Sequence, residues 1–456
     1  MNEKKRKRPK LTQGPEGQVI RSLMYPTLLG MIAIVSYNIS DTYFIGKLGT
    51  VELAAVSFTF PVVLVIGSIT VGLAHGTSAV CARLFGEENI EDVGRVTAHA
   101  LLLGVAVGLV FLVVGLLTID PLFRLLGAEN ETIEFIRRYM RIYYYGGVFL
   151  VVPLIVNPVL RAAGDARTPS TIVSACAVLH LVLAPVLIFG WLGAPKLGIE
   201  GAAVATVFSN FVMTVASISV VYFREHLISF GSLSFHLLWD SWRRILHVGL
   251  PSAASTAIGP LTMAFITSQI AQFGQEAVAG YGVASRIESL ITLVLMALSV
   301  AVTPFVGQNF GARKPGRVNN GIRWSWLFSL GYGLCVALIL ALGGGVIASA
   351  FTDSQMAIDT ASLHLRIVPI SYLALGVALT ATSAFNAVSK PMLGMMISMT
   401  RTILVYAPLA FLFARYFGLT GIFAAACAAN FVAGACGVLL SQKVFFRQDR
   451  IETQAG

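Results

Sequence analysis

Apolar runs of about twenty residues or more recur along the whole 456-residue chain, and no other feature restricts its fold so tightly. Each run is long enough to cross about 30 Å of hydrocarbon as a helix. Lipid offers the backbone no hydrogen-bond partners, so a crossing segment must be a helix or a strand of a closed barrel. These runs lack the period-2 alternation of barrel strands and read as helices. Only 12% of the residues are charged, against about 25% in soluble domains, and the mean hydropathy is +0.79. The fold class is therefore all-α integral membrane.

Windows of about 19 residues give twelve transmembrane helices, near residues 20 to 46, 53 to 84, 94 to 118, 133 to 158, 170 to 191, 199 to 223, 246 to 271, 279 to 307, 323 to 350, 363 to 387, 393 to 415 and 419 to 441. The stretch "MNEKKRKRPK" supplies six Lys and Arg against Glu3, half of the net charge of +10. It reads as a cytoplasmic anchor touching anionic lipid, with no folded basic surface for nucleic acid. The apolar stretch behind it is too long for a signal-peptide core, so it is expected to be retained.

With that tail inside, the even-numbered connections hold Arg83, Arg95, Arg161, Arg167, Arg224, Arg243, Arg244, Arg313, Lys314, Arg317 and Lys390, and the odd ones little beyond Lys47, Arg124, Lys196 and Arg415. The bias puts both termini in the cytoplasm of a multi-pass cell (inner) membrane protein. Arg137, Arg138 and Arg141, at the outer end of the fourth span, break the pattern. Cys81, Cys176, Cys335, Cys427 and Cys436 all fall in apolar runs without a C-x-x-C pair and read as packing residues, with no metal site.

Sliding the chain against itself by 225 residues pairs Pro26 with Pro251, Gly49 with Gly274, Ala54 with Ala279 and Phe85-Gly86 with Phe310-Gly311. Further on, "GDARTP" from Gly164 faces "NAVSKP" from Asn386, and "GIEGAAVATVFSNF" from Gly198 faces "GLTGIFAAACAANF" from Gly418. Two six-helix halves follow: a basic tail at 1 to 19, a first bundle at 20 to 223, a cytoplasmic linker at 224 to 245, a second bundle at 246 to 442 and a tail at 443 to 456. An even number of spans per half gives both halves the same orientation, a parallel repeat whose intervening cleft can open to either side. A monomer is expected.

Within the spans, titratable groups are scarce. Asp41 lies in "SYNISDTYFIGKLG" more than a turn inside the first span, where ionising a carboxyl costs about 2.5 to 3.5 kcal/mol by insertion scales. Helical spacing puts Tyr37 and Asn38 on its face, at i minus 4 and i minus 3. His180 is the second titratable group of the first half; if it approaches Asp41, the two would titrate as a coupled pair suited to proton exchange.

In the second half Ile266 occupies the position of Asp41. The polar groups there are Gln269 and Gln272, Arg286 and Glu288, Gln308 and Asn309, and Arg401. Arg286 and Glu288, two apart, cannot share one helix face, and an outer-surface position suits both. Arg401 is too deep for easy snorkelling and reads as a structural contact or a substrate contact. Asn157, Thr206, Asn210 and Gln269 are the other candidate substrate contacts. An enzyme would need converging metal or nucleophile motifs, and no H-E-x-x-H or G-x-S-x-G occurs.

Six segments in the right order resemble the multidrug and toxic compound extrusion (MATE) transporters. They are "YPTLLGMIAIVSYNISDTYFIGKLGTVELAAVSF", "ARLFGEENIEDVGR", "RAAGDARTPS", "LGIEGAAVATVFSN", "VGLPSAAS" and "TPFVGQNFGARKPGR", and the match covers about residues 18 to 442. The resemblance implies a V-shaped pair of bundles exporting amphipathic, often cationic, organic compounds in exchange for H⁺ or Na⁺, with no other cofactor. It implies that Asp41, with Tyr37, is the coupling site, and that Pro26 is where the first helix bends. The family's "N-x-x-x-D-P" pattern in the fifth span reads "HLVLAP" here, so His180 and Ala184 replace an asparagine and a second aspartate. That departure favours H⁺, because hard cations such as Na⁺ want oxygen ligands rather than imidazole. A lipid-linked precursor flippase shares the two-half plan, but would be expected to carry a cluster of cationic residues in its cleft.

Overall fold

The computed structural model describes residues 10–229, 231 and 234–446, and every regular element among them is a helix. In chain order these are α1 (Glu16–Gly46), α2 (Thr50–Gly86), α3 (Ile90–Leu125), α4 (Asn130–Tyr145), α5 (Gly147–Ala162), α6 (Arg167–Phe189), α7 (Ile199–Ser219), α8 (Phe235–Ala271), α9 (Gln275–Gly311), α10 (Pro315–Ser349), α11 (Gln355–Ile367), α12 (Tyr372–Ala387), α13 (Pro391–Met399) and α14 (Ala407–Ser441). Nine stretches are long and apolar enough to cross a membrane as single spans, and a tenth is formed by α4 and α5, bent by 48°. The last of the nine, Pro391–Phe446, is interrupted by non-helical backbone at Gly418 and makes two passages. Adding α8, which is less apolar, gives the twelve helices expected.

The expected fourth span, 133 to 158, is thus not straight. It breaks at Gly146, whose α-carbon is so close against Val207 that a β-carbon there would overlap the valine side chain.

The chain divides into two compact units, one of them containing Tyr25–Leu250 and the other Leu11–Met24 with the described residues from Pro251 onward. The change of unit falls inside α1 and α8, within one residue of the paired prolines Pro26 and Pro251. The stretch read as a linker is helical from Phe235, and it packs within the first unit: Trp242 Nε1 donates to the His99 carbonyl at 2.8 Å, and Ser241 Oγ lies 2.8 Å from His99 Nδ1. In the second unit, the Leu11 amide donates to Gln308 Oε1 at 3.1 Å and Arg317 Nη1 donates to the Gly14 carbonyl at 2.8 Å. Residues 1–9 of the basic tail and 447–456 of the other lie outside the described residues.

The repeat is visible in the backbone. Gly198 and Gly418, paired in the sequence, have φ of 58° and 59°, a region that favours glycine, and each starts a helix. Three residues on, Gly201 and Gly421 let that helix approach the carbonyls of Leu187 and Phe413 in the preceding one.

Among the described residues, the first unit contains two apolar cores. One joins α2, α3 and α5 around Val80, Val96, Val156 and Leu160; the other joins the ends of α1, α3, α4, α6 and α7 around Ile45, Ile119, Ile136, Tyr139 and Ile188. The second unit has a core around Ile270, Tyr281, Leu365, Tyr372 and Phe423. The arginines at 137 and 138 are explained by neutralisation: Arg137 Nη2 is 2.9 Å from Asp120 Oδ2 and also pairs with Glu134, which Arg138 shares.

Candidate functional site: a buried carboxyl in the first unit

Three helices of the first unit converge on Asp41. α1 carries Tyr37 and Asp41 one turn apart, α6 carries His180 and α7 carries Thr206. His180 Nε2 lies 3.8 Å from Asp41 Oδ1 and 3.3 Å from Thr206 Oγ1. The Tyr37 ring meets the imidazole edge to face, with centroids 4.7 Å apart. The side chains of His180 and Asp41 are 3% and 14% exposed, so the pair is shielded from solvent.

The polar inventory of this chamber is incomplete. Asp41 Oδ1 and His180 Nδ1 are both buried without a hydrogen-bond partner. A buried polar atom left unpaired costs about 1 to 3 kcal/mol, more if charged, so the carboxyl is held where its ionised form lacks the donors that would stabilise it. At 3.8 Å, two opposite unit charges attract by about 4 kcal/mol at an effective dielectric of 20. A change of protonation on either group would be felt by the other at this distance.

Tyr139 and Tyr143, on α4, are buried nearby and stack with centroids 6.2 Å apart; Tyr139 lies within electrostatic reach of Asp41 and Tyr37, and Tyr143 of Tyr37. Sequence reasoning missed these phenols. The signal was there: both are on one face of α4, four residues apart in "YMRIYYY".

The other expected residues are distributed differently. Asn38 is exposed, one residue round the helix from Tyr37, and stays outside the cluster. Thr206, read as a substrate contact, is a partner of His180. Asn210 donates to the Thr206 carbonyl at 2.8 Å and so supports that helix turn. Asn157 is buried in the other core of the unit, where it accepts from Ser217 Oγ at 2.9 Å. In the second unit, Gln269 accepts from Gln272 Nε2 at 3.3 Å, and Arg401 Nη1 donates to Asn430 Oδ1 at 3.4 Å. Pro26 lies within a continuous α1. Ala184, where the family pattern has an acid, is buried among apolar side chains.

The MatE family model matches the chain twice, at residues 26–186 and 251–412, with starts separated by the same offset that pairs Pro26 with Pro251. The FAD transporter of Shewanella oneidensis is 33% identical over 434 residues, covering 95% of this chain and 96% of that one. The multidrug export protein MepA of Staphylococcus aureus is 24% identical, with 95% of each chain covered. Among solved structures, the Vibrio cholerae MATE transporter VcmN in its bent form superposes with a TM-score of 0.89 at 29% identity, covering 95% of this chain and 98% of that one.

Proposed function

This chain belongs to the MATE family of membrane transporters, and on that footing we propose that it exports organic compounds in exchange for protons carried by Asp41. The observation that carries the proposal is the unpartnered, buried Oδ1 of Asp41 with an imidazole at 3.8 Å. A carboxyl so placed takes up a proton where its chamber opens to the outside and loses it where the chamber opens to the cytoplasm. The transported compound is released when proton binding shifts the population toward the state that holds it weakly, which requires only a difference in affinity between the two states. His180 and Thr206 offer one imidazole and one hydroxyl in place of the oxygen-rich set a sodium ion needs, and Ala184 adds no donor. The arginines and lysines of the even-numbered connections support cytoplasmic termini in the inner membrane, and nothing in the proposed cycle calls for more than one copy.

For the cargo, multidrug exporters among the relatives support amphipathic organic cations. A second reading is favoured by the 33% identity to a FAD transporter across 95% of the chain: the cargo would then be an anionic flavin dinucleotide. Proteoliposomes separate these readings. Uptake of ethidium and of FAD is measured under an imposed pH gradient and, separately, an imposed sodium gradient, with recovery of the unaltered compound as the control for transport without chemistry. Uptake that follows sodium and ignores pH would overturn the proton assignment.

A further inference from the structure

We propose that Glu288 and His364 form a second proton-exchange site, wholly inside the second unit and independent of Asp41. Glu288 was expected near the outer surface. Instead α9 turns it inward, where its Oε2 meets His364 Nε2 from α11 at 3.1 Å. The imidazole side chain is 3% exposed and the carboxyl side chain 29%. His364 is clamped edge-on by two rings, Tyr281 at 5.7 Å and Phe423 at 4.9 Å between centroids.

The groups facing Glu288 can be named from each element packed against it. α9 itself contributes Tyr281, α11 His364, α12 Tyr372, and the turns joining α13 to α14 contribute Arg401 and Tyr406, while Tyr332 of α10 lies beyond, on the far side of Tyr372. Tyr332 is engaged elsewhere, donating to the Ile291 carbonyl at 2.8 Å. Arg401 is steadied by Asn430, whose Nδ2 donates to Ser371 Oγ at 2.8 Å. Arg286, two residues before Glu288, is directed about 200° away around the helix.

One atom of this cluster is left over: His364 Nδ1 is buried without a hydrogen-bond partner, while the Tyr372 hydroxyl lies against Glu288. A fixed ion pair serving only the fold would gain by having such an atom satisfied. An imidazole bonded on one nitrogen and free on the other, beside a carboxylate, is instead a relay: a proton adds to Glu288 or to Nδ1 of His364, and no other bond changes.

The repeat explains why a chamber exists here at all. The 225-residue offset places His364 on Tyr139, and the pairing of "GIEGAAVATVFSNF" with "GLTGIFAAACAANF" places Asn430 on Asn210. Tyr139 lies near Asp41, and the turn braced by Asn210 carries Thr206, the partner of His180. Each unit therefore builds a polar chamber at the same address. In the second unit Ile266 stands at the position of Asp41, and the acid comes from α9 instead.

Infrared difference spectroscopy on the purified, reconstituted protein tests this without knowledge of the cargo. Protonated buried carboxyls give C=O bands that titrate with pH. Two such bands are expected in the wild type, one lost in Asp41→Asn and the other in Glu288→Gln. A Glu288→Gln spectrum identical to wild type across the titration would overturn the proposal. Retention of both bands in Asp41→Asn would sink the Asp41 reading and leave this one standing. His364→Phe, which preserves the ring stack and the carboxyl, should move the position of the Glu288 C=O band, because the hydrogen bond to Nε2 is lost. An unmoved band there would also overturn the proposal, even if Glu288→Gln does not fold.

Discussion

Replacing Asp41 by asparagine is the sharpest perturbation of the proposed cycle, because the substitution nearly preserves shape while removing the proton site. The carboxamide fills the same volume, so no cavity opens, and Oδ1 has no hydrogen bond to lose. The fold should survive with a thermal midpoint within a few degrees of wild type. Transport should not. If one proton is exchanged per molecule, a gradient of about one pH unit supplies about 1.4 kcal/mol, enough for about a tenfold accumulation ratio. In the Asp41→Asn protein this ratio should fall to unity, since no proton movement is tied to the cargo. The assay is the plateau level of ethidium or FAD in proteoliposomes under an imposed pH gradient, with downhill exchange at equal pH as the check that binding persists. A variant that still accumulates cargo tenfold would refute the reasoning, and would move the coupling group elsewhere in the molecule.

Other changes test separate parts of the account. His180→Gln should leave transport driven by pH but collapse a two-step pH profile into one step, because the coupled partner at 3.8 Å is gone; an unchanged profile would separate His180 from the site. Asp165, in the turn between α5 and α6, is pushed up by burial but held below the usual carboxylate range by the Thr168 hydroxyl and amide and by Arg224, at 2.6, 3.0 and 2.7 Å. Because its folded value is depressed, that stabilisation is present above about pH 4 and is lost as pH falls through the folded value. Asp165→Asn should therefore cost about 1 kcal/mol at pH 7, discounted for the partly exposed Arg224, and nothing in strong acid; equal costs at both pH values in thermal unfolding would refute the assignment. Gly76→Ala would drive a β-carbon into the backbone of Ile245 and Gly249 and should lower stability by about 1 to 3 kcal/mol. Gly67→Ala, where the space is open, should not.

What could be read from the sequence divides along a physical line. Helix number and the position of the repeat were legible because hydrocarbon imposes length and composition on every span, and because glycines such as Gly198 and Gly418 are required one by one by backbone geometry. Asp41 was legible for a related reason: an ionisable group inside a span is too costly to be incidental. Neighbours across helices were not. Spacing correctly put Tyr37 on the face of Asp41 but also put Asn38 there, because a helical repeat defines an arc and cannot say which edge of it meets α6. The bend at Gly146 depends on Val207, some sixty residues away, and the neutralisation of Arg137 depends on Asp120, on another helix. Glu288 was seen but misplaced, since an acid that cannot share a helix face with Arg286 two residues away looks like a surface residue until α11 supplies His364. Its partner could have been found: the offset that aligns Pro26 with Pro251 also lays His364 over Tyr139. The repeat thus conserves where each bundle keeps its polar chamber while leaving free which side chain carries the charge, and a search for a second acid at position 266 was bound to return isoleucine.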